Sequence, residues 1–276
     1  MTELRYVYAI CEPLGAELPA GLTGVAGDRP HMFPHLGLVA VVSHVPERDF
    51  AEQPLRAHLE DLDWLADTAR AHERVIEALM GASITPLPLR LATVFHDDTG
   101  VRLMMEEQAA HFRDTLDRLQ GRIEWGVKVY AEPEPEPEPD AEPAQGDGPR
   151  GKPASGRDYL RQRRRTVMAR EDTWQQAEGF ADRLHATLSA HAEGTRLHPP
   201  QNPALSSAPG QNVLNAAYLV PRPYAAEFMD VLDRTKCRER GVRIELTGPW
   251  AAYSFVESVG SGGSQSSPET GPGAGT

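Results

Sequence analysis

Residues 132–156 open EPEPEPEPDAEP and interrupt a 276-residue chain near its middle. Each proline removes a backbone donor and restricts the residue before it, so neither a helix nor a central strand can form. Glutamates two residues apart also repel. The segment therefore reads as an extended, polyproline-like, solvated spacer, and folding must happen on either side of it. Residues 1–131 are expected to form an N-terminal α+β domain. Residues 157–257 form the remainder of a C-terminal domain whose first strand, 123–130, precedes the spacer. Residues 258–276 are rich in Gly, Ser and Pro and read as a disordered tail.

The formal net charge is −12, which argues against generic nucleic-acid binding. That average hides a reversal. Residues 131–149 carry seven acids and no Lys or Arg, whereas residues 150–170 carry eight basic residues against the single acid Asp158. The Arg161, Arg163, Arg164 and Arg165 cluster could meet phosphate, but no aromatic residue interleaves it and the acidic spacer lies beside it. A solvated helix face is the favoured reading. No apolar run reaches the roughly 18 residues needed to cross a bilayer, and the first residues lack the pattern of an export signal. Cys11 and Cys237 form neither a CxxC motif nor a disulfide framework. A soluble cytoplasmic protein without nucleic-acid or membrane partners is expected.

Local patterns fill in the two halves. Residues 6–10 (YVYAI) and 36–43 (LGLVAVVS) read as strands, with the proline-bearing stretch 28–35 between them as turn or loop. From Pro54 the pattern becomes helical: Leu62, Leu65, Ala69, His72, Ile76 and Leu79 recur every three or four residues before Gly81. Residues 84–95 (ITPLPLRLATVF) fit an edge strand or a docked loop. A second amphipathic helix is expected from Val101 to Leu119, then a strand at 123–130. Beyond the spacer, 158–192 reads as one long helix with the stripe Trp174, Ala177, Ala181, Leu184 and Leu188. Residues 195–211 read as irregular, 213–220 as a strand, 223–240 as a helix and 242–247 as a strand, with 248–256 crossing onto the sheet. The second half thus runs in the β-α-β-β-α-β order of a ferredoxin-like sandwich, and the fold class is α+β.

Motifs for chemistry are sparse. No GxxxxGK[ST] loop, dinucleotide fingerprint or GxSxG elbow occurs. His72-Glu73 begins like a zinc-protease motif, but Ile76 stands where the second metal ligand belongs. No metal, cofactor or catalytic residue is assigned. His72 lies on the apolar stripe of its helix, where a core histidine bonded to a neighbour is the plain reading. The sharper one gathers His72, Glu73 and Arg90 into a small-molecule pocket, as in an enzyme or sensor. Trp64, Trp125, Trp174 and Trp250 read as core anchors.

Several segments, in order, resemble the gas vesicle protein F/L family. They are Tyr6-Val7-Tyr8-Ala9-Ile10, Leu38-Val39-Ala40-Val41-Val42-Ser43, Asp63-Trp64-Leu65 and Ala71-His72-Glu73-Arg74-Val75. Next come Pro86-Leu87-Pro88-Leu89-Arg90-Leu91-Ala92-Thr93-Val94-Phe95 and Glu124-Trp125-Gly126-Val127-Lys128-Val129. In the second half, Tyr159-Leu160, Asn215-Ala216-Ala217-Tyr218-Leu219-Val220, Gly248-Pro249-Trp250 and Tyr253-Ser254-Phe255 complete the set. Two departures stand out: Leu91-Ala92 where the family usually has Phe-Gly, and Ala251-Ala252 where it usually has two prolines. The first is expected to alter packing at a bend and the second to loosen a turn before Tyr253.

The resemblance implies a two-domain α+β protein with a ferredoxin-like C-terminal domain. It also implies a non-enzymatic minor component that contacts the hydrophobic gas vesicle shell protein, guides its assembly and associates with vesicles in the cytoplasm. Other vesicle accessory proteins are further candidate partners. The apolar, proline-flanked segments offer Pro88, Arg90, Phe95, Trp250, Tyr253 and Phe255 as candidate partner contacts.

Overall fold

The computed structural model describes residues 2–13, 18–82, 84–132, 156–200, 210–236 and 241–256. The expected tail, 258–276, and all of the expected spacer except its ends, Glu132 and Gly156, fall outside the described residues, and Gly156 opens a helix rather than closing the spacer.

The first sheet is antiparallel, in the order β2 (His31–His35), β3 (Leu38–Pro46), β1 (Glu3–Cys11), β4 (Leu87–Pro88), with β5 (Val94–Phe95) also paired to β1. Its central strands are almost continuously apolar because both faces are covered. Tyr6, Tyr8 and Cys11 pack with Val75, Ile76 and Leu79 of α3 (Leu62–Gly81). On the other face, Val7, Ile10, Ala40 and Val42 meet Val101, Met104 and Met105 of α4 (Asp98–Glu107) and Phe112 and Leu116 of α5 (Ala109–Leu119). A bulge between Val7 and Ala9 turns Tyr8 and Ala9 to the same side and so redirects the alternation.

Several elements differ from the sequence reading, each for a physical reason. The stretch 28–35 is not all loop. His31–His35 forms β2, and Pro34 is tolerated because the strand lies at the sheet edge. Leu36 and Gly37 join β2 to β3 at φ 49° and 70°, the two positive angles that a two-residue hairpin of this hand requires. Helix formation begins before Pro54, in α1 (Glu47–Phe50) and α2 (Glu52–Leu59). It restarts where the Asp61 carboxylate accepts from the amides of Asp63 and Trp64 at 3.0 and 3.2 Å, capping α3. The expected helix from Val101 to Leu119 is two helices that meet at Gln108 and keep their apolar faces on one sheet. No residue type at Gln108 marks that break.

The second sheet is antiparallel in the order β7 (Gly194–Leu197), β8 (Gln211–Pro221), β6 (Arg122–Ala131), β9 (Val242–Trp250). With α6 (Gly156–Ser189) and α7 (Ala225–Lys236), the chain order is β6-α6-β7-β8-α7-β9. Residues 195–197 were expected to be irregular. They pair with β8, and the signal was weak because an exposed four-residue edge strand needs backbone partners more than an apolar pattern. The helix expected from Pro223 starts as a 3-10 turn (Arg222–Tyr224) and continues as α7, while 237–240 lie outside the described residues.

Ala177, Ala181, Leu184 and Leu188 of α6 are buried on this sheet with Phe228 and Leu232 of α7. Trp174 is 36% exposed. A 34-residue helix is about 50 Å long and a ten-residue strand about 33 Å, so α6 outruns the sheet it covers.

Candidate functional site

After β9, residues 251–256 run between the two sheets and touch both. Ala251 and Tyr253 join the core beneath Tyr6 and α3. Ala252 and Phe255 pack on Ala217 and Leu219, on the face of the second sheet opposite its helices, together with Leu119 from the end of α5. Val256 packs against the α4–α5 core. Polar bonds hold the strap as well. The Ser254 amide donates to Glu124 Oε2 at 2.8 Å, its hydroxyl donates to Glu124 Oε1 at 2.6 Å, and Arg118 donates to the Phe255 carbonyl at 3.1 Å. Since the single Ser254 proton goes to Glu124, His198 Nε2 donates to Ser254 Oγ at 3.1 Å. The order His198–Ser254–Glu124 therefore differs from a nucleophilic triad, in which the histidine sits between hydroxyl and carboxylate. Its work is anchoring.

Beneath the strap lies a buried polar group on the first sheet. Tyr6 Oη accepts from the Ala92 amide at 3.1 Å and lies 2.9 Å from His72 Nδ1. Donation from Tyr6 to Nδ1 satisfies the phenol proton and leaves the proton on Nε2, which has no hydrogen-bond partner among the described residues. Burial keeps His72 neutral, its pKa pushed down to about 4. Tyr253 Oη donates to Glu73 Oε2 at 3.1 Å. Burial raises the pKa of Glu73 against the lowering effect of that bond, and burial likewise raises that of Glu124.

A cavity of about 490 Å³ opens beside the strap. Leu87, Leu89, Phe95, Met104, Phe112 and Val256 contribute its apolar surface. Arg90 and His111 come from the first half, and Arg196 and His198 from β7 and the residue after it. Arg90 and Arg196 are exposed, and neither has an ion-pair partner among the described residues.

Four of the six expected contact residues, Pro88, Arg90, Phe95 and Tyr253, line this one cavity. Trp250 stands apart from that lining at the end of β9, 36% exposed, while Phe255 is 6% exposed and serves the core. His72, Glu73 and Arg90 do not converge. The first two are bonded to Tyr6 and Tyr253, and Arg90 turns to the cavity. Arg196, His198 and the Ser254–Glu124 anchor escaped the sequence reading because they lie far apart along the chain. Glu124 and Ser254 carried a signal only as members of the Glu124-Trp125-Gly126-Val127-Lys128-Val129 and Tyr253-Ser254-Phe255 segments, with nothing to pair them. The Leu91-Ala92 departure has a backbone consequence: Ala92 sits at φ 62°, a left-handed angle that glycine adopts without strain. Ala251 and Ala252 are both about 4% exposed, so packing holds the turn before Tyr253.

Comparison with known proteins agrees with this architecture. The sequence model described as "Gas vesicle synthesis protein GvpL/GvpF" matches residues 4–257. Gas vesicle protein L of Streptomyces sp. (strain CB03234) is 52% identical over 253 residues, covering 92% of this chain and 92% of that protein. Gas vesicle protein L1 of Halobacterium salinarum is 24% identical, covering 93% and 91%. Crystal structures of GvpF from Anabaena sp. PCC7120 and Microcystis aeruginosa share the fold, with TM-scores of 0.65 and 0.62 at 18% and 20% identity. They cover 92% and 93% of this chain and 96% and 100% of theirs.

Proposed function

Because the chain belongs to the gas vesicle synthesis protein GvpL/GvpF family, we propose that it serves gas vesicle assembly as a non-catalytic docking protein for the hydrophobic shell subunit. The observation that carries this reading is the open cleft between the two sheets, whose lining combines apolar side chains, among them Leu89, Phe95 and Val256, with polar ones from both halves. The apolar part of such a lining is favourable to cover. A shell subunit before it joins the wall has apolar surface to hide, so a temporary partner would keep it from aggregating. Supporting a non-catalytic role, His72 is buried, neutral and bonded to Tyr6, and Glu124 is occupied by Ser254.

The two sheet-and-helix units each have a core, which supports reading them as two domains, the second of the ferredoxin-like kind. The working place follows from the role: the cytoplasm, on growing gas vesicles, with other vesicle accessory proteins as further partners. No described helix is long and apolar enough to cross a membrane. Co-expressed with the main shell protein, the chain should co-purify with it, and cells lacking the chain should make no vesicles. No association, together with normal vesicles, would contradict the proposal.

A further inference from the structure

The cleft has a charge pattern that narrows what it can hold. The chain carries a net charge of −12, yet two exposed arginines from different halves of the fold, Arg90 and Arg196, border this one cavity without an ion-pair partner among the described residues. Glu124 feels the field of Arg196, but both of its oxygens are engaged by Ser254. The apolar lining includes Leu89, Phe95 and Val256, which are half-buried, while Leu87 and Phe112 lie buried behind them. About 490 Å³ is the size of a pocket that holds a few side chains or one small ligand.

We infer that the cleft docks a peptide segment in which apolar side chains are flanked by carboxylates, the apolar residues meeting Leu89, Phe95 and Val256 and the carboxylates meeting Arg90 and Arg196. This rests on the docking role proposed above and specifies the chemistry of the shell-protein segment that would be held. Guanidinium–carboxylate pairs can be bidentate and directional, so they would set the orientation of a segment whose apolar contacts do not. Such pairing discriminates between partners and raises encounter rates more than it adds raw affinity. Arg90 lies in the β4–β5 connection of the first half and Arg196 on β7 of the second, so a segment bridging them would also tie together the halves that residues 251–256 already join.

The test uses the full chain, the main shell protein and synthetic peptides tiling the shell sequence, with binding followed by fluorescence anisotropy. A peptide with apolar residues flanked by Asp or Glu should bind, and its Asn/Gln counterpart should bind at least tenfold more weakly. The double reversal Arg90→Glu, Arg196→Glu should weaken both peptide and intact shell protein at least tenfold and flatten the salt dependence of binding. Arg183→Glu, exposed on α6, should change neither. The single Arg90→Gln and Arg196→Gln variants guard against misfolding and should each give part of the loss at unchanged melting temperature.

If intact shell protein binds but no peptide does, the segment proposal falls. It also falls if the neutralised peptide binds equally well or the double reversal changes nothing, and the docking role then stands. If wild-type chain fails to bind intact shell protein, the docking role itself is overturned.

Discussion

Replacing His72 by glutamine should leave the protein nearly as stable at neutral pH and remove much of its sensitivity to mild acid. His72 is 3% exposed, its Nδ1 faces the Tyr6 hydroxyl at 2.9 Å, and burial pushes its pKa from 6.5 to about 4. Between those values the unfolded chain takes up a proton that the folded chain refuses. The unfolded state binds more protons there, so stability must rise with pH across the window and fall as pH drops from about 6.5 toward 4. At 1.36 kcal/mol per pH unit, the full shift corresponds to roughly 3 kcal/mol. Glutamine keeps an oxygen to accept from Tyr6 and leaves a buried N–H unpaired, as histidine does, so the cost at pH 7 should be within about 1 kcal/mol.

Urea unfolding of both proteins at pH 7, 6, 5 and 4.5 gives the comparison. Glu73 and Glu124 have raised values, so their contribution has the opposite sign, growing as pH falls through the folded pKa, but it is present in both proteins and cancels in the difference. The wild type should lose about 2 kcal/mol or more relative to the variant between pH 7 and 4.5. Parallel pH profiles would refute the reasoning.

Three further outcomes follow from named contacts. Phe255→Ala should cost about 3 kcal/mol by emptying the site against Ala217 and Leu219, and should raise hydrogen exchange in residues 251–256. Ala92→Gly should stabilise the chain by about 0.5–1 kcal/mol, read as a higher urea midpoint, because glycine adopts φ 62° without a Cβ clash. Arg70→Ala, which breaks an exposed pair with Asp67 on α3, should shift stability by less than about 0.5 kcal/mol in the same assay.

The sequence was most legible where burial imposed a period. The stripe through His72, Ile76 and Leu79 and the apolar runs in β1 and β3 correspond to elements packed against a sheet or a helix. It was least legible at the sheet edges, where β7 is exposed and held mainly by backbone pairing and β2, though it contacts the core, carries Pro34, or where a helix bends without a breaker, as at Gln108. The site was half legible. Pro88, Arg90 and Phe95 sit on one short stretch and Tyr253 on another, so reading each stretch as apolar surface brought them forward. Arg196 and His198 had no such signal, since their role arises only when β7 pairs with β8 and is brought beside the α4–α5 pair. The family resemblance identified Ala92 as unusual, but only the backbone angle showed why.

Hydrogen exchange on the chain, free and saturated with the main shell protein, tests the docking role most directly. Slowed exchange should concentrate in residues 87–95 and 253–256 and at Arg196 and His198, the borders of the cleft. Protection confined to the helix face of the second sheet, with the cleft residues exchanging as in the free chain, would contradict the account.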